Sequence, residues 1–392
     1  MCRKGSHFSR PHIDGACAPG RRPARIQVGM AGRVMALGCR VVVVGAGDLG
    51  VRIALRLVAC AGVGEVIVAG RDTAATRARA HFIASCGNAR VHFAPLDALD
   101  ADAVATLIAR TQPHLLVQCA SMHSPWLLSG RDDAVAQAFR GAGFASQLPA
   151  QLPALLAVMR GVRQIGFDGA VVNCSFPDVT HAALQGLGLA PTIGIGNAGM
   201  IHLIGCAALR ARREGRQLRT LAHHAHVSMV AGGTVGEVPA AQRPRMYLDD
   251  VEVPVDQLLA DSAALPLTRE LNEITAAHAV QVIAANLGLT APLHTAAPGV
   301  TGLPGGWPVT VSRGAIDFDL PAGVTHAQVL AFNRTMGRMD GVERIDADGT
   351  VHFTAAVKAA LASRWPTLAQ PLKPGDAQAR YAQLRQAVML AA

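Results

Sequence analysis

From residue 40 onward the chain alternates between short apolar runs and longer segments whose apolar positions recur every three to four residues. The first run, Val41-Val42-Val43-Val44, is β-branched throughout and closes on Gly45, the composition of a strand buried on both faces. The pattern then predicts helix over 47–60, strand over 65–70, helix over 72–86, strand over 91–94, helix over 100–110 and strand over 114–120. Two further helices, 132–141 and 149–164, lead into a strand over 169–174, and a helix, a short strand at 192–195 and another helix complete this half. Strands alternating with helices through connections of a few residues predict a doubly wound parallel sheet.

After about residue 200 the alternation fails. A long strand over 218–230, a hairpin near 247–250, a helix over 268–287, strands over 309–320, a helix over 326–336 and a hairpin at 346–349 predict an α+β arrangement, with Asp348-Gly349 as the tight turn. The expected organisation is a basic tail at 1–38, a parallel-sheet domain at 39–200, an α+β domain at 201–370 for substrate or oligomer contacts, and a closing helix within 371–392 that can return to the first domain. The helix at 268–287 is the expected surface of a homodimer.

Charge changes this picture by its location. Residues 1–40 hold eight Lys/Arg and one acid, a net +7 of the chain's +9, so the folded body is nearly neutral and a nucleic-acid partner is not expected. The tail lacks the apolar core of a signal peptide, and it reads as disordered, as the product of a start assigned ahead of Met30 or Met35, or as a transit peptide. Residues 179–209 carry no Asp, Glu, Lys or Arg, yet Pro191, Asn197 and six glycines interrupt them, so no membrane span is expected. The eight cysteines are scattered without a C-x-x-C pair, which suits a reduced cytoplasm. Only three residues are lysine, and Tyr247 and Tyr381 are followed four positions later by Val251 and Arg385, which argues against Tyr-x-x-x-Lys chemistry.

Gly45-Ala46-Gly47-Asp48-Leu49-Gly50 is G-x-G-x-x-G between a buried strand and a helix. In that context the first glycine permits the turn, the second lets backbone approach a pyrophosphate, and the third packs helix on strand. The helix start, with Asp48 and Leu49, offers free N–H groups to phosphate. The second strand ends Val68-Ala69-Gly70-Arg71, with no acid at its last residue to bind a ribose 2′-hydroxyl. Arg71 is therefore expected to pair with a 2′-phosphate, with Arg77 or Arg79 assisting and Asp72 as the next helix's N-cap, so NADP(H) is favoured and NAD(H) is the alternative.

The segments 41–50 and 66–72 resemble the saccharopine dehydrogenase-like group of NAD(P)-binding proteins. That resemblance implies a Rossmann domain coupled to an α+β domain and hydride transfer to or from imines of small amino acid-like substrates. Beyond about residue 200 it rests on domain order alone and transfers no catalytic residue. An alcohol or carbonyl dehydrogenase and a non-catalytic dinucleotide-binding regulator remain the alternatives.

Further candidates come from strand ends. Ala120 and Ser121 follow the fourth strand and Asn173 ends the fifth, where the nicotinamide ribose or carboxamide lies in doubly wound sheets. Trp126 and Asn197 are candidate pocket residues. His181 sits in a helix's first turn, and in His223-His224-Ala225-His226 a strand would put His224 and His226 on one face, which makes these three histidines the proton-transfer candidates. No metal is expected, because no cysteine or carboxylate is nearby in sequence. The Gly/Pro-dense stretch 299–308 is expected to hold a substrate carboxylate through Gly305 and Gly306 backbone, covered by Trp307.

Overall fold

A computed structural model describes residues 26–27 and 38–389. The expectations for the basic tail otherwise lie outside the described residues. Within it, strand β1 (Ile26–Gln27) pairs antiparallel with Ala315 and Ile316.

The parallel sheet comprises β2 (Cys39–Val44), β3 (Val63–Gly70), β4 (Arg90–Pro95), β5 (Leu115–Gln118), β6 (Ala170–Asn173) and β7 (Ile193–Gly194), in the order β4-β3-β2-β5-β6-β7. Helices α1 (Asp48–Val58), α2 (Ala74–Ala84), α3 (Ala101–Thr111), α4 (Ala134–Ala142), α5 (Leu148–Ile165), α6 (Pro177–Gln185) and α7 (Ala198–Ala211) belong to the same half. Successive β2 side chains point to opposite faces. Val42 and Val44 join a core with Leu107 and Leu155, while Val41 and Val43 join one with Ile53, Leu57 and Val282. All four valines are fully buried, each contributing about 1.5–3 kcal/mol of hydrophobic stabilisation. The winding direction reverses between β2 and β5, which leaves a crevice beyond their carboxyl ends.

The rest of the chain is built on antiparallel strands. β8 (Leu218–Leu221), β9 (Arg245–Leu248) and β10 (Val251–Val253) form one sheet; β11 (Leu293–Pro298), β12 (Gly306–Ser312) and β13 (Ala315–Phe318) form another with β1; β14 (Val342–Ile345) and β15 (Val351–Phe353) form a hairpin. Helices α8 (Val227–Ala231), α9 (Val255–Leu258), α10 (Asn272–Asn286), α11 (His326–Met339), α12 (Ala355–Leu361) and α13 (Ala377–Met389) complete the described chain. This is the α/β fold with an α+β C-terminal part that the hydrophobic pattern predicts. Residues 179–209 divide into helix, short strand and helix, and among the described residues no single helix is long and apolar enough to cross a membrane.

Four expectations need correction. The strand predicted over 218–230 stops at Leu221, because His226 Nδ1 accepts the His223 N–H (2.9 Å) and Asp178 accepts the His224 N–H (3.0 Å), which turns the chain into a 3₁₀ turn and α8. The 370/371 boundary lies too late: Val342, Phe353, Val357 and Leu361 already share the core of Val42 and Leu116, and α13 continues that contact on α5. The supposed dimer helix is internal, with Ala276, Ala279 and Ile283 of α10 fully buried as it packs on α1 and α7 of the same chain. The 299–308 stretch is packing rather than a ligand loop. Trp307 is 1% exposed, donates from Nε1 to Pro304 O (3.0 Å) and meets Phe318 edge-on. Gly305 and Gly306 donate their N–H groups to Asp178 O and Ala222 O, and a Cβ on Gly306 would lie 2.3 Å from Ala222 O.

Candidate functional site

The glycine-rich loop opens α1 at the crevice. Gly45 has φ +107°, and a Cβ there would stand 2.6 Å from Ala120 N; a Cβ on Gly50 would stand 1.9 Å from Gly45 O. Gly47 differs, because a Cβ built on it meets nothing within 4 Å. The loop is thus closed against protein at its first and third glycines and open at the second. Gly47 also caps α1 without any side-chain hydrogen bond, so the first-turn N–H groups face the opening.

That opening is a cleft of about 410 Å³ lined by residues 45–50, by Gly70, Arg71, Thr76 and Arg79, and by Cys119 through Pro125. It has the shape and donors of a dinucleotide site, and Gly45, Gly47, Asp48, Leu49, Gly50, Arg71, Ala120 and Ser121 all line it. Asp72 does not. Its carboxylate takes two hydrogen bonds from Arg77 (2.6 and 2.7 Å), and Thr73, not Asp72, caps α2 through a reciprocal pair with Thr76. Arg77 is thereby committed elsewhere, whereas Arg79 donates to Ala46 O at 2.6 Å, beside the loop. His123 also lines the cleft, with its ring 5.5 Å from that of Tyr381. Asn173 is a correction: it is fully buried, accepts the Ser175 N–H (3.0 Å), and donates to Ser175 O and Thr180 Oγ1. It shapes the turn after β6 from below, and Cys174 and Ser175 reach the cleft in its place.

A second cavity of about 500 Å³ adjoins the first, sharing Leu49, Pro125, Gln151, Cys174 and Asn272. Trp126, Asn197 and His224 line it, together with Phe144, Phe176 and Asp340. His224 is sandwiched by aromatic rings, stacked on Phe144 (4.3 Å) and edge-on to Phe176 (5.1 Å). Its Nδ1 donates to Asp340 Oδ1 at 2.9 Å, while His223 Nδ1 lies 3.0 Å from Asp340 Oδ2. Donation from Nδ1 fixes the tautomer and leaves Nε2 for proton exchange. Burial opposes charge on His224, but Asp340 and the more distant Asp178 outweigh it and raise the imidazole's pKa. Asp340 is held well below the usual carboxylate range: burial pushes it up, and the two histidines more than reverse that.

Asp340 caps α11, and its carbonyl accepts the Ala145 N–H at 2.8 Å. A Cβ on Gly143 (φ +77°) would lie 2.7 Å from the same carbonyl, so the 143–145 turn carrying Phe144 is fitted against Asp340. Asp178 organises the other side. One carboxylate oxygen accepts the His224 N–H and the other accepts from Asn197 Nδ2, so Asn197, at φ +43°, is held at the cavity wall.

The other proton-transfer candidates are not brought here. His181 is fully buried against Gly299 O (2.6 Å), and burial pushes its pKa down to about 4. His226 is fully buried, accepts from His223 N–H, and is pushed down to about 3, chiefly by burial. Neither lines the two cavities, and both are neutral near pH 7. Asp340 and Phe144, which complete the His224 environment, carried no sequence signal, since each gains its role through contacts across more than 75 residues.

Fold and site together define a doubly wound α/β architecture with a glycine-loop cleft at its switch point and a histidine–aspartate pair in the adjoining cavity. No model of a known protein family matches the chain, and no curated protein sequence matches it. Solved structures do. A lactate dehydrogenase from a Medee basin deep-sea metagenome library aligns at 13% identity over 77% of this chain and 96% of that one, with a TM-score of 0.41. Lactate dehydrogenase from Eimeria maxima, solved with NADH and oxamate, aligns at 10% over 77% and 95%, with a TM-score of 0.48. The minor L-lactate dehydrogenase from Enterococcus mundtii aligns at 14% over 77% and 96%, with a TM-score of 0.45. None of these three is a saccharopine dehydrogenase, and no comparison supports that resemblance.

Proposed function

We propose that the chain is an NADP(H)-dependent oxidoreductase acting on a C=O or C=N bond, with His224 moving the proton. The observation that carries this is the junction of the two cavities: a glycine loop open at Gly47 on one side, and His224 tethered to Asp340 on the other, across the shared walls of Gln151 and Cys174. A bound nicotinamide would supply or accept the hydride. In the reducing direction the substrate carbon gains the C–H bond, the π electron pair moves to oxygen or nitrogen, and His224 Nε2–H protonates that atom before being reprotonated from solvent. Asp340 holds the ring and favours its charged form. Arg71, just past β3 and in the cleft, supports the 2′-phosphate assignment, and Asp72, next to it in sequence, is paired with Arg77 instead.

Fluorescence titration with NADPH and NADH tests the cofactor site. Arg71→Ala is expected to weaken NADPH by about tenfold and NADH little, the loss of one charge-assisted contact; equal weakening refutes the 2′-phosphate role. Turnover of NADPH with ketones, with and without added amine, separates C=O from C=N reduction. His224→Gln is expected to lower the rate about 10²–10⁴-fold with cofactor affinity unchanged. Tight cofactor binding with no turnover on any substrate would instead favour the regulatory reading.

A further inference from the structure

The second cavity is walled by Trp126, Phe144, Phe176, Ile195, Met200 and Leu271, and the charges that reach it are few. Arg140 is the single arginine or lysine among its lining residues, and it is turned to other work: Nη1 donates to Arg131 O (2.7 Å) and Nη2 to Asp132 Oδ1 (3.2 Å), with half the side chain in solvent. The other cation in reach, protonated His224, already faces Asp340, and Asp178 lies behind its backbone. A substrate carboxylate entering this space would leave water for a wall whose two cations are already engaged and would approach the Asp340 carboxylate, which is unfavourable in an apolar wall.

Two polar groups there are unspent, both neutral amides. Gln151 is 3% exposed and lines both the cleft and the cavity, Gln147 is 8% exposed and lines the cavity, and Gln151 Nε2 and Gln147 Oε1 have no hydrogen-bond partner among the described residues. A buried neutral N–H donor of this kind is satisfied by an uncharged acceptor such as a carbonyl oxygen. We infer that the substrate is an uncharged ketone or aldehyde, or the matching alcohol, carrying an aromatic or branched aliphatic arm, and that 2-oxo acids and amino acids are excluded. This rests on the oxidoreductase reading above and replaces the amino acid-like substrate expected from sequence. The electron and proton balance is that of carbonyl reduction given there.

The test compares a matched pair, 4-phenyl-2-butanone and 2-oxo-4-phenylbutyrate, which differ in a methyl against a carboxylate. Binding to the full-length protein is measured by calorimetry and by tryptophan fluorescence, Trp126 being in the wall; turnover is followed by NADPH oxidation, and NADPH binding is titrated separately. The ketone is expected to bind at least about tenfold more tightly and to give a kcat/KM at least about 100-fold higher, as a buried unpaired charge requires. Equal or better use of the oxo acid would overturn the substrate class while leaving the oxidoreductase reading intact. Binding of neither compound to protein that does bind NADPH would overturn it as well. Failure to bind either dinucleotide would sink the underlying reading instead, and the calorimetric comparison would still decide between the two ligand chemistries.

Discussion

The three glycines of the first loop respond to one substitution in opposite ways. At Gly47 a methyl group meets no protein atom within 4 Å, and the backbone (φ −77°, ψ −174°) suits any residue. Folding should barely change: replacing an N-cap glycine by alanine costs some fraction of the roughly 1 kcal/mol a cap is worth, and the stiffer unfolded chain returns about 0.4–1 kcal/mol. The same methyl projects into the space a pyrophosphate would fill. Losing even one charge-assisted bond to the α1 N-terminus, about 1.5–3 kcal/mol, weakens NADPH binding about 10–100-fold. Gly50→Ala and Gly45→Ala do the reverse. One forces a Cβ to 1.9 Å from Gly45 O, the other to 2.6 Å from Ala120 N at φ +107°, and neither neighbour is a side chain that can swing aside. Each should cost about 3 kcal/mol or more of stability. Chemical denaturation and NADPH fluorescence titration on the three variants read both quantities. Wild-type affinity in Gly47→Ala would show that the loop does not hold phosphate, and wild-type stability in Gly50→Ala would refute the packing account.

Two further outcomes concern charge and buried polarity. Asp340→Asn keeps a hydrogen-bond acceptor for His224 but removes the carboxylate that raises its pKa, leaving burial to lower it; the alkaline limb of the reductive pH–rate profile should move to lower pH and the rate at pH 7.5 should fall about 10–100-fold. An unmoved limb would mean that another group is the acid. Stability follows the same sign. A raised histidine pKa stabilises the fold fully below about 6.5, the unfolded value, and that contribution is lost as pH rises through the folded value. Asp340, depressed in the fold, contributes above about pH 3.9 and loses its contribution as pH falls. The stability gap between wild type and Asp340→Asn should therefore narrow as pH rises from 6.5. Asn173→Ala strips the partner from a buried Ser175 N–H and should cost about 1–3 kcal/mol on denaturation with NADPH affinity little changed; selective loss of affinity would restore Asn173 to the cofactor.

The first half was legible because its signals are local. Four valines between charged and glycine residues can only be a doubly buried strand, and the glycine spacing after it needs nothing from distant chain to be read. The histidine segment was misread for the complementary reason. His223-His224-Ala225-His226 alternates as a strand does, but the competing bonds come from Asp178, about 45 residues upstream, and from the histidine side chains themselves. Trp307 was misjudged because a Gly/Pro-dense, apolar stretch has the same composition whether it cradles a ligand or turns tightly into a core strand. Only the approach of Ala222 O to Gly306 decides the matter.

The histidine–aspartate pair shows why a site can be assembled from pieces none of which announces it. His224 arrives on a turn held by Asp178, Asp340 on the C-cap of α11, and Phe144 on a turn whose Gly143 must lack a side chain to fit the Asp340 carbonyl. Both carboxylate oxygens of Asp340 face imidazole nitrogens, so its charge is placed by two residues at once, while its backbone is placed by a third segment. Immediately after it, β14, β15, α12 and α13 run onto α4 and α5 and share their core. The position of Asp340, and through it of His224, thus depends on residues 341–389 docking against the parallel-sheet half. Loosening that docking, for instance at Leu384 of α13, should impair the chemical step more than cofactor affinity, because the glycine loop is held by Ala69 O, Arg79 and the close approach of Ala120, none of them in that segment.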